Sequence, residues 1–302
     1  MIFSERVLQW SHIFSFIDTF KVKYPIEKMC KVLKVSKSGY YYWCKGLISN
    51  REKENNKLLQ EILNIYNQSN GSYGSPRIKE ELYQLGYKVS RPKVARIMRD
   101  NNIQSKIRKK WIVTTDSKHS APIAPNLLNI NFTVDLPGMV WFSDITYINT
   151  KNGWVYLTVV IDLFDRKVIG WSVSATMKAV ETSIEALKMA LSNRNRNKDL
   201  IFHSDRGVQY ACSDFSKILN KNNIIQSMSR KGNCWDNAVA ESFFKTLKTE
   251  SIYQNDFKSK REARTEIFRY IEIWYNRKRR HSTLGYKTPL EMENLFNMKN
   301  AA

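Results

Sequence analysis

Residues 200–248 read LIFHSDRGVQYACSDFSKILNKNNIIQSMSRKGNCWDNAVAESFFKTLK, and the rest of the chain is organised around them. The apolar run Leu200, Ile201, Phe202 predicts a short strand that delivers His203, Ser204 and Asp205 to a turn at Arg206 and Gly207. Downstream, Trp235, Asp236, Asn237 and Ala238 open a helical pattern in which Glu241, Lys245 and Lys248 recur at spacings of four and three, so that they share one face. Thirty-five residues separate Asp205 from Glu241, and a third acid, Asp144, stands upstream in the β-patterned WFSDITYI. Each acid alone reads more readily as a solvated surface charge. Together, three carboxylates from two strands and a helix form a donor set for two divalent cations.

Working outward, the core predicts strands Val140–Ile148, Trp154–Asp162 and Lys167–Ser174, with Lys151-Asn152-Gly153 as a hairpin turn. A helix over Val180–Leu191 follows, then strand Leu200–His203, helix Ser213–Leu219, strand Ile224–Met228 and the Glu241 helix. Strands first and then alternation with helices predict a mixed five-stranded α/β sheet.

Toward the N-terminus the pattern turns all-helical. Residues 25–43 predict two short helices, with Ser36 capping the second, which fits a helix-turn-helix and a small bundle equally. Ser75 and Pro76 start a further helix with Ile78, Leu82 and Leu85 inward, and Gly86 ends it in the left-handed position. Ser90 caps the next, burying Val94, Ile97 and Met98 and turning Arg91, Lys93, Arg96 and Arg99 outward as a candidate DNA-recognition face. A basic run, Lys106 to Trp111, and Pro122 and Pro125 mark a linker. The expected domains are 1–50 (helical), 51–104 (helix-turn-helix-like), 105–131 (basic linker), 132–250 (catalytic core) and 251–302 (C-terminal basic extension).

Charge supports a polyanionic partner. The formal net charge is +21, and residues 1–130 hold 23 Lys/Arg against 10 Asp/Glu, residues 131–241 hold 13 against 11, and the remainder 13 against 7. The excess flanks a nearly neutral core, which points to nucleic acid; the resemblance given below narrows that to double-stranded DNA. Cys30, Cys44, Cys212 and Cys234 form no C-x-x-C pair and the four histidines no metal spacing, so neither zinc nor a disulfide framework is expected. With no long apolar run and no leader-like N-terminus, the expectation is a cytoplasmic, nucleoid-associated protein without a membrane segment.

Three blocks carry a resemblance: Trp141-x-x-Asp144-Ile-Thr-Tyr; His203-Ser-Asp205-x-Gly207-x-Gln209-Tyr210; and Gly232-x-x-Trp235-Asp236-Asn237-Ala238 through Glu241 to Lys248. In this order they resemble the DDE transposases of the IS3 family of insertion sequences, relatives of the retroviral integrases, and the likeness runs from about Tyr24 to about Leu290. Ile130 and Gly138 depart from it, where Arg and Asn are usual. The resemblance implies an RNase H-like core with Asp144 and Asp205 on adjacent central strands and Glu241 completing the shell around two Mg²⁺ ions, for which Mn²⁺ substitutes. It implies cleavage at the element's terminal inverted repeats, joining of one end to the other, and integration into target DNA by a 3′-hydroxyl. It also implies a homo-oligomer on DNA and leaves open a module from an upstream reading frame. His203 is expected either to orient Asp205 or to pack at the strand end; Asn237 and Asp236 to cap the Glu241 helix; Trp235 to lie in the core; and Lys245 and Lys248 to meet DNA. The block Tyr275 to Pro289 completes the likeness, with Arg279 and Arg280 either binding DNA or facing a helix C-terminus. A nuclease that cuts without joining, and a silent DNA-binding regulator, remain as other classes.

Overall fold

The computed structural model describes residues 12–45, 50–106, 123–231 and 233–301, leaving most of the expected basic linker outside the described residues. The chain forms two compact units, 1–106 and 107–302.

The first unit is helical. Helices α1 (residues 12–20), α2 (Ile26–Val32) and α3 (Lys37–Cys44) enclose Phe14, Ile17, Met29, Cys30 and Tyr40. Ser36 caps α3 as expected, its hydroxyl accepting from Gly39 N at 3.0 Å. Helix α4 (Asn50–Gln68) packs on α5 (Ser75–Gln84) and α6 (Arg91–Asp100). Gly86 (φ +87°) ends α5 and Ser90 caps α6 through Lys93 N, both as the sequence predicts. Leu85, expected inward, is exposed: as the residue that ends α5 it has already left the Ile78/Leu82 face.

The second unit is built on one sheet, ordered β3-β2-β1-β4-β5. Strands β1 (Val140–Thr150), β2 (Gly153–Asp162) and β3 (Val168–Ser174) form an antiparallel meander, turned at Gly153 with φ +94°. Helix α7 (Ser183–Asn193) then leads to β4 (Ile201–Ser204), which pairs parallel with β1. Short α8 (Val208–Ala211) and α9 (Ser213–Lys221) bring the chain to β5 (Ile225–Met228), parallel to β4. The predicted mixed five-stranded sheet is therefore present, with strand boundaries shifted by at most two residues.

Alternation along the strands splits the apolar residues between two layers. Trp141, Val160, Ile169 and Phe202 meet Ile184, Leu187, Ala190, Phe215 and Leu219 of α7 and α9. Ile148, Leu157, Val159 and Ile161 meet Phe243, Phe244 and Leu247 of α10 (Ala238–Glu250) and Ile267 of α11 (Lys260–Phe268). Beyond α11 a wide-turned helical segment, Arg269–Tyr275, and α12 (Pro289–Ala301) complete the unit.

Gly138 stands at φ +74°, where an added Cβ would lie 2.5 Å from the Asn195 carbonyl oxygen. Its N–H donates to buried Asp162 at 2.8 Å. The departure at this position is thus a steric requirement of this chain.

Candidate active site

Register places the first two acids side by side. Parallel pairing of β1 with β4 sets Phe142 opposite His203 and Ser143 opposite Ser204, so Asp205, the first residue past β4, comes level with Asp144. Neighbouring strands lie about 4.8 Å apart. Asp144 alternates with Phe142, Thr146 and Ile148 onto the face that α10 covers, and α10 carries Glu241 in its first turn. All three carboxylates are half-buried.

Hydrogen bonds fix two of them. Asp144 Oδ1 accepts from Ile145 N at 2.8 Å, and Asp205 Oδ1 accepts from Gly207 N at 2.9 Å, which ties Asp205 to the predicted Gly turn. Burial pushes the Asp144 carboxyl well above the usual carboxylate range, and the negative charges of Asp205 and Glu241 push it further; the Lys248 ammonium opposes them. Burial also raises Glu241 and lowers Lys248, whose charge Asp144 supports. Asp144 thus senses both other acids and Lys248, a concentration of negative charge that one ammonium does not offset.

The donor chemistry fits a hard divalent cation: three carboxylates and no sulfur or imidazole. One more observation agrees. Asn237, buried and four residues before Glu241, has its Oδ1 without a hydrogen-bond partner. An orphaned buried oxygen on the Glu241 face is a place for a further ligand or its water. As the side chains stand, no three His, Cys, Asp or Glu among the described residues are close enough to hold a metal ion.

Several expectations change here. Asn237 stands at the α10 N-terminus without a side-chain cap bond. Asp236 does not cap α10 either: only 1% exposed, it takes Arg230 N at 2.8 Å, Nε at 3.0 Å and Nη2 at 2.8 Å, and the guanidinium holds its carboxyl down at about 2. Trp235, expected in the core, is 68% exposed, because the fork to Asp236 turns the other side of this 3₁₀ turn (Cys234–Asn237) outward. His203 is fully buried between Ser227 Oγ (Nδ1, 2.9 Å) and Ser229 Oγ (Nε2, 3.2 Å), against the Phe142 ring. Burial lowers its pKa to about 4, so it packs as a neutral imidazole at the strand end.

Sequence reasoning passed over Tyr210 and Ser143, whose hydroxyls meet at 2.8 Å. Burial and the charges of Asp144 and Asp205 raise the Tyr210 phenol, which places it behind the two aspartates. Its place in the His203-to-Tyr210 block was the available signal.

The cationic candidates divide. Arg91 and Arg99 are exposed on α6, and Lys93 and Arg96 are half-buried; together with Ser90, Pro92 and Ala95, Lys93, Arg96 and Arg99 line an open hollow. Lys93 also meets Glu54 at 3.0 Å. Lys245 is exposed on α10. Arg279 and Arg280 are not available to DNA. Arg279, 5% exposed, grips Glu250 through Nε at 2.9 Å and Nη2 at 2.9 Å, and Arg280 pairs with Glu291 at 2.9 Å. A buried guanidinium needs such a partner, and that need displaces the expected phosphate contact.

Integrase core domain signatures match residues 135–234 and 222–289, and an HTH-like domain matches residues 53–111. Transposase InsF for insertion sequence IS3A of Escherichia coli K12 is 41% identical over 281 residues, covering 92% of this chain and 97% of that protein. The insertion element IS600 uncharacterized 31 kDa protein of Shigella sonnei is 41% identical over 86% of this chain and 96% of its own. Among solved structures, the catalytic core of HTLV-2 integrase in complex with magnesium aligns at TM-score 0.39 and 18% identity, over 52% of this chain and 97% of that one.

An integrase-type core behind an HTH-like unit defines a polynucleotidyl transferase of the transposase class. Within that class, the chain belongs to the IS3-family transposases. Among the described residues no helix is long and apolar enough to cross a membrane.

Proposed function

We propose that this transposase cuts DNA at the ends of its insertion sequence and transfers the freed strand by direct transesterification, with Asp144, Asp205 and Glu241 as the catalytic carboxylates. The observation that carries this reading is the convergence of Asp144 and Asp205, level on adjacent strands, beneath the helix that bears Glu241.

Asp144, Asp205 and Glu241 would hold two Mg²⁺ ions, or Mn²⁺ in their place, and Asn237 Oδ1 would accept from a bound water. When bound, such a pair activates the attacking oxygen and stabilises the leaving one in an in-line phosphoryl displacement. In the first step a water oxygen bonds to phosphorus and the strand's 3′-oxygen leaves as a hydroxyl. In the second, that 3′-hydroxyl oxygen bonds to another phosphorus and displaces its 3′-oxygen. One phosphodiester is made as one is broken, so joining needs no protein nucleophile and no external energy source. The backbone bonds at Ile145 and Gly207 hold the two aspartates in orientation, and Lys248 faces the phosphate. Double-stranded terminal repeats are read by the α6 face, and a second copy of the chain completes the pairing of two ends.

The test is cleavage and joining of a labelled terminal-repeat duplex, taken from the DNA that flanks this gene, with Mg²⁺, Mn²⁺, Ca²⁺ or EDTA. Asp144→Asn, Asp205→Asn and Glu241→Gln keep side-chain shape and remove charge. Each is expected to abolish cutting and joining and to leave duplex affinity intact. One fully active variant removes that residue from the site, and cutting without joining in the wild type makes the enzyme a nuclease.

A further inference from the structure

Trp235 is 68% exposed six residues before Glu241, and nothing in the chemistry above uses it. It lies in the 3₁₀ turn that runs into α10. Residues three apart eclipse in such a turn, so Trp235 stands above Ala238. From Ala238 the α-helical period continues the same stripe to Ser242 and Lys245, with Glu241 at its border. Burial follows that stripe: Trp235, Ser242 and Lys245 are exposed, whereas Asp236, Asn237, Ala240, Phe243 and Phe244 are buried.

The indole is presented on a stiff base. Asn233 Oδ1 accepts from Trp235 N at 3.0 Å, and on the other side Asp236 is locked by three bonds from Arg230. Lys231, four residues before it, and Lys245, further along its stripe, are exposed, as is Arg230, whose guanidinium is paired with Asp236. An exposed aromatic held among cations is the composition that binds single-stranded nucleic acid, since every base offers a π-face and every nucleotide a phosphate.

We propose that Trp235 stacks on an unpaired base of the DNA end held at the carboxylates. This rests on the reading of Asp144, Asp205 and Glu241 given above. Rises of about 2.0 Å per residue in the turn and 1.5 Å in α10 put Trp235 and Glu241 roughly 10 Å apart along the axis. At 3.4 Å per nucleotide that is about three steps from the phosphate under attack. Stacking there holds the end frayed and sets the distance from the terminus at which the strand is cut.

The experiment measures affinity in Ca²⁺ for terminal-repeat duplexes with three unpaired end nucleotides, either intact or with abasic sites at those three. The wild type is expected to bind the intact end about ten-fold more tightly than the abasic one. Trp235→Ala is expected to lose about ten-fold on the intact end and nothing on the abasic one, while Trp235→Phe keeps most of the affinity. Trp235→Ala that binds both ends as the wild type does, or that loses equally on both, overturns the proposal. So does a loss that tracks a change in oligomeric state by sedimentation, which would assign the indole to a second copy of the chain. The thermal midpoint of each variant reports folding separately. Because the readout is binding, a wild type that fails to join ends defeats the catalytic reading and leaves the coupling between Trp235 and the bases to be judged by itself.

Discussion

Glu250, the last residue of α10, is held by Arg279, 29 residues further on, in a two-pronged ion pair with Nε and Nη2 each 2.9 Å from a carboxylate oxygen. Tyr270 Oη and Trp274 Nε1 donate to the same carboxylate at 2.9 and 3.3 Å. The C-terminal segment thus anchors one end of the helix whose other end carries Glu241. Asn276 adds a second tie, its side-chain amide pairing with Val168 N and O at the start of β3, both at 3.0 Å.

Arg279→Ala is therefore expected to destabilise the protein by about 3–5 kcal/mol, because it leaves a buried carboxylate with its strongest partner gone. Replacing both partners, Glu250→Met with Arg279→Met, should cost less than either single change to Ala. Urea unfolding of the three variants checks the order. A double variant as unstable as the sum of the single ones would mean that the pair contributes nothing as a pair.

His203 gives a pH dependence of definite sign. Its folded pKa is lowered to about 4 from 6.5, so between those values the unfolded chain binds the extra proton. Stability from this group is complete above about pH 6.5 and lost as pH falls toward 4, by about 3 kcal/mol in all. His203→Gln should lack that part of the acid loss while keeping a hydrogen bond to Ser227 or Ser229. Unfolding free energies at pH 7 and 4.5 decide it, and identical slopes for both proteins would exclude His203 as the cause.

These residues mark how far the sequence could be read. The five strands and the Glu241 helix were legible because a period of two and a period near four fix which face each residue takes, whereas the adjacency of the Asp144 and Asp205 strands came from the family likeness and not from any period. Ser36, Gly86, Ser90 and Gly153 were legible because caps and turns are local. Trp235 was misread, and Arg279 and Arg280 stayed open between DNA and a helix C-terminus, because their surroundings are set by distant partners; Arg279 pairs with Glu250, the last residue of α10. A basic run reads as a DNA contact until Glu250 and Glu291 are found against it, and a tryptophan beside a helix start reads as core until Arg230 claims Asp236. Gly138 looked like a lapse from the family pattern, since no local rule reveals the Asn195 carbonyl behind it.

The first 130 residues should supply most of the DNA affinity. The stripe on α6 has Glu54 and Asp100 as its acidic neighbours, and residues 1–130, with 23 Lys/Arg against 10 Asp/Glu, carry the larger share of the charge excess. If six or more phosphates are neutralised, affinity for the terminal repeat should fall by about 10³-fold between 50 and 200 mM salt. Arg96→Ala and Arg99→Ala should each weaken binding and lower the salt slope or relax sequence preference. A chain beginning at Asn131 that binds as tightly as the whole would place the affinity elsewhere.

Lys248 lies seven residues beyond Glu241 on α10, half-buried and close enough to Asp144 to oppose the rise in that carboxyl's proton affinity. Two roles follow from that position, and they separate experimentally. If the ammonium holds a phosphate of the bound end, Lys248→Ala should weaken end binding and lower the salt slope by about one, with joining recovered at saturating DNA. If it serves only to offset the three acids, removing it should leave the salt slope alone and depress joining at every DNA concentration. The phosphate role is the expected one, because a half-buried ammonium beside a cluster poised for cations gains more from a mobile anion than from acids already committed to them. Lys248→Arg should then keep the slope and part of the rate. Salt titrations of end affinity, run beside joining rates at limiting and saturating duplex, distinguish the two, and an unchanged slope in Lys248→Ala would remove the phosphate contact.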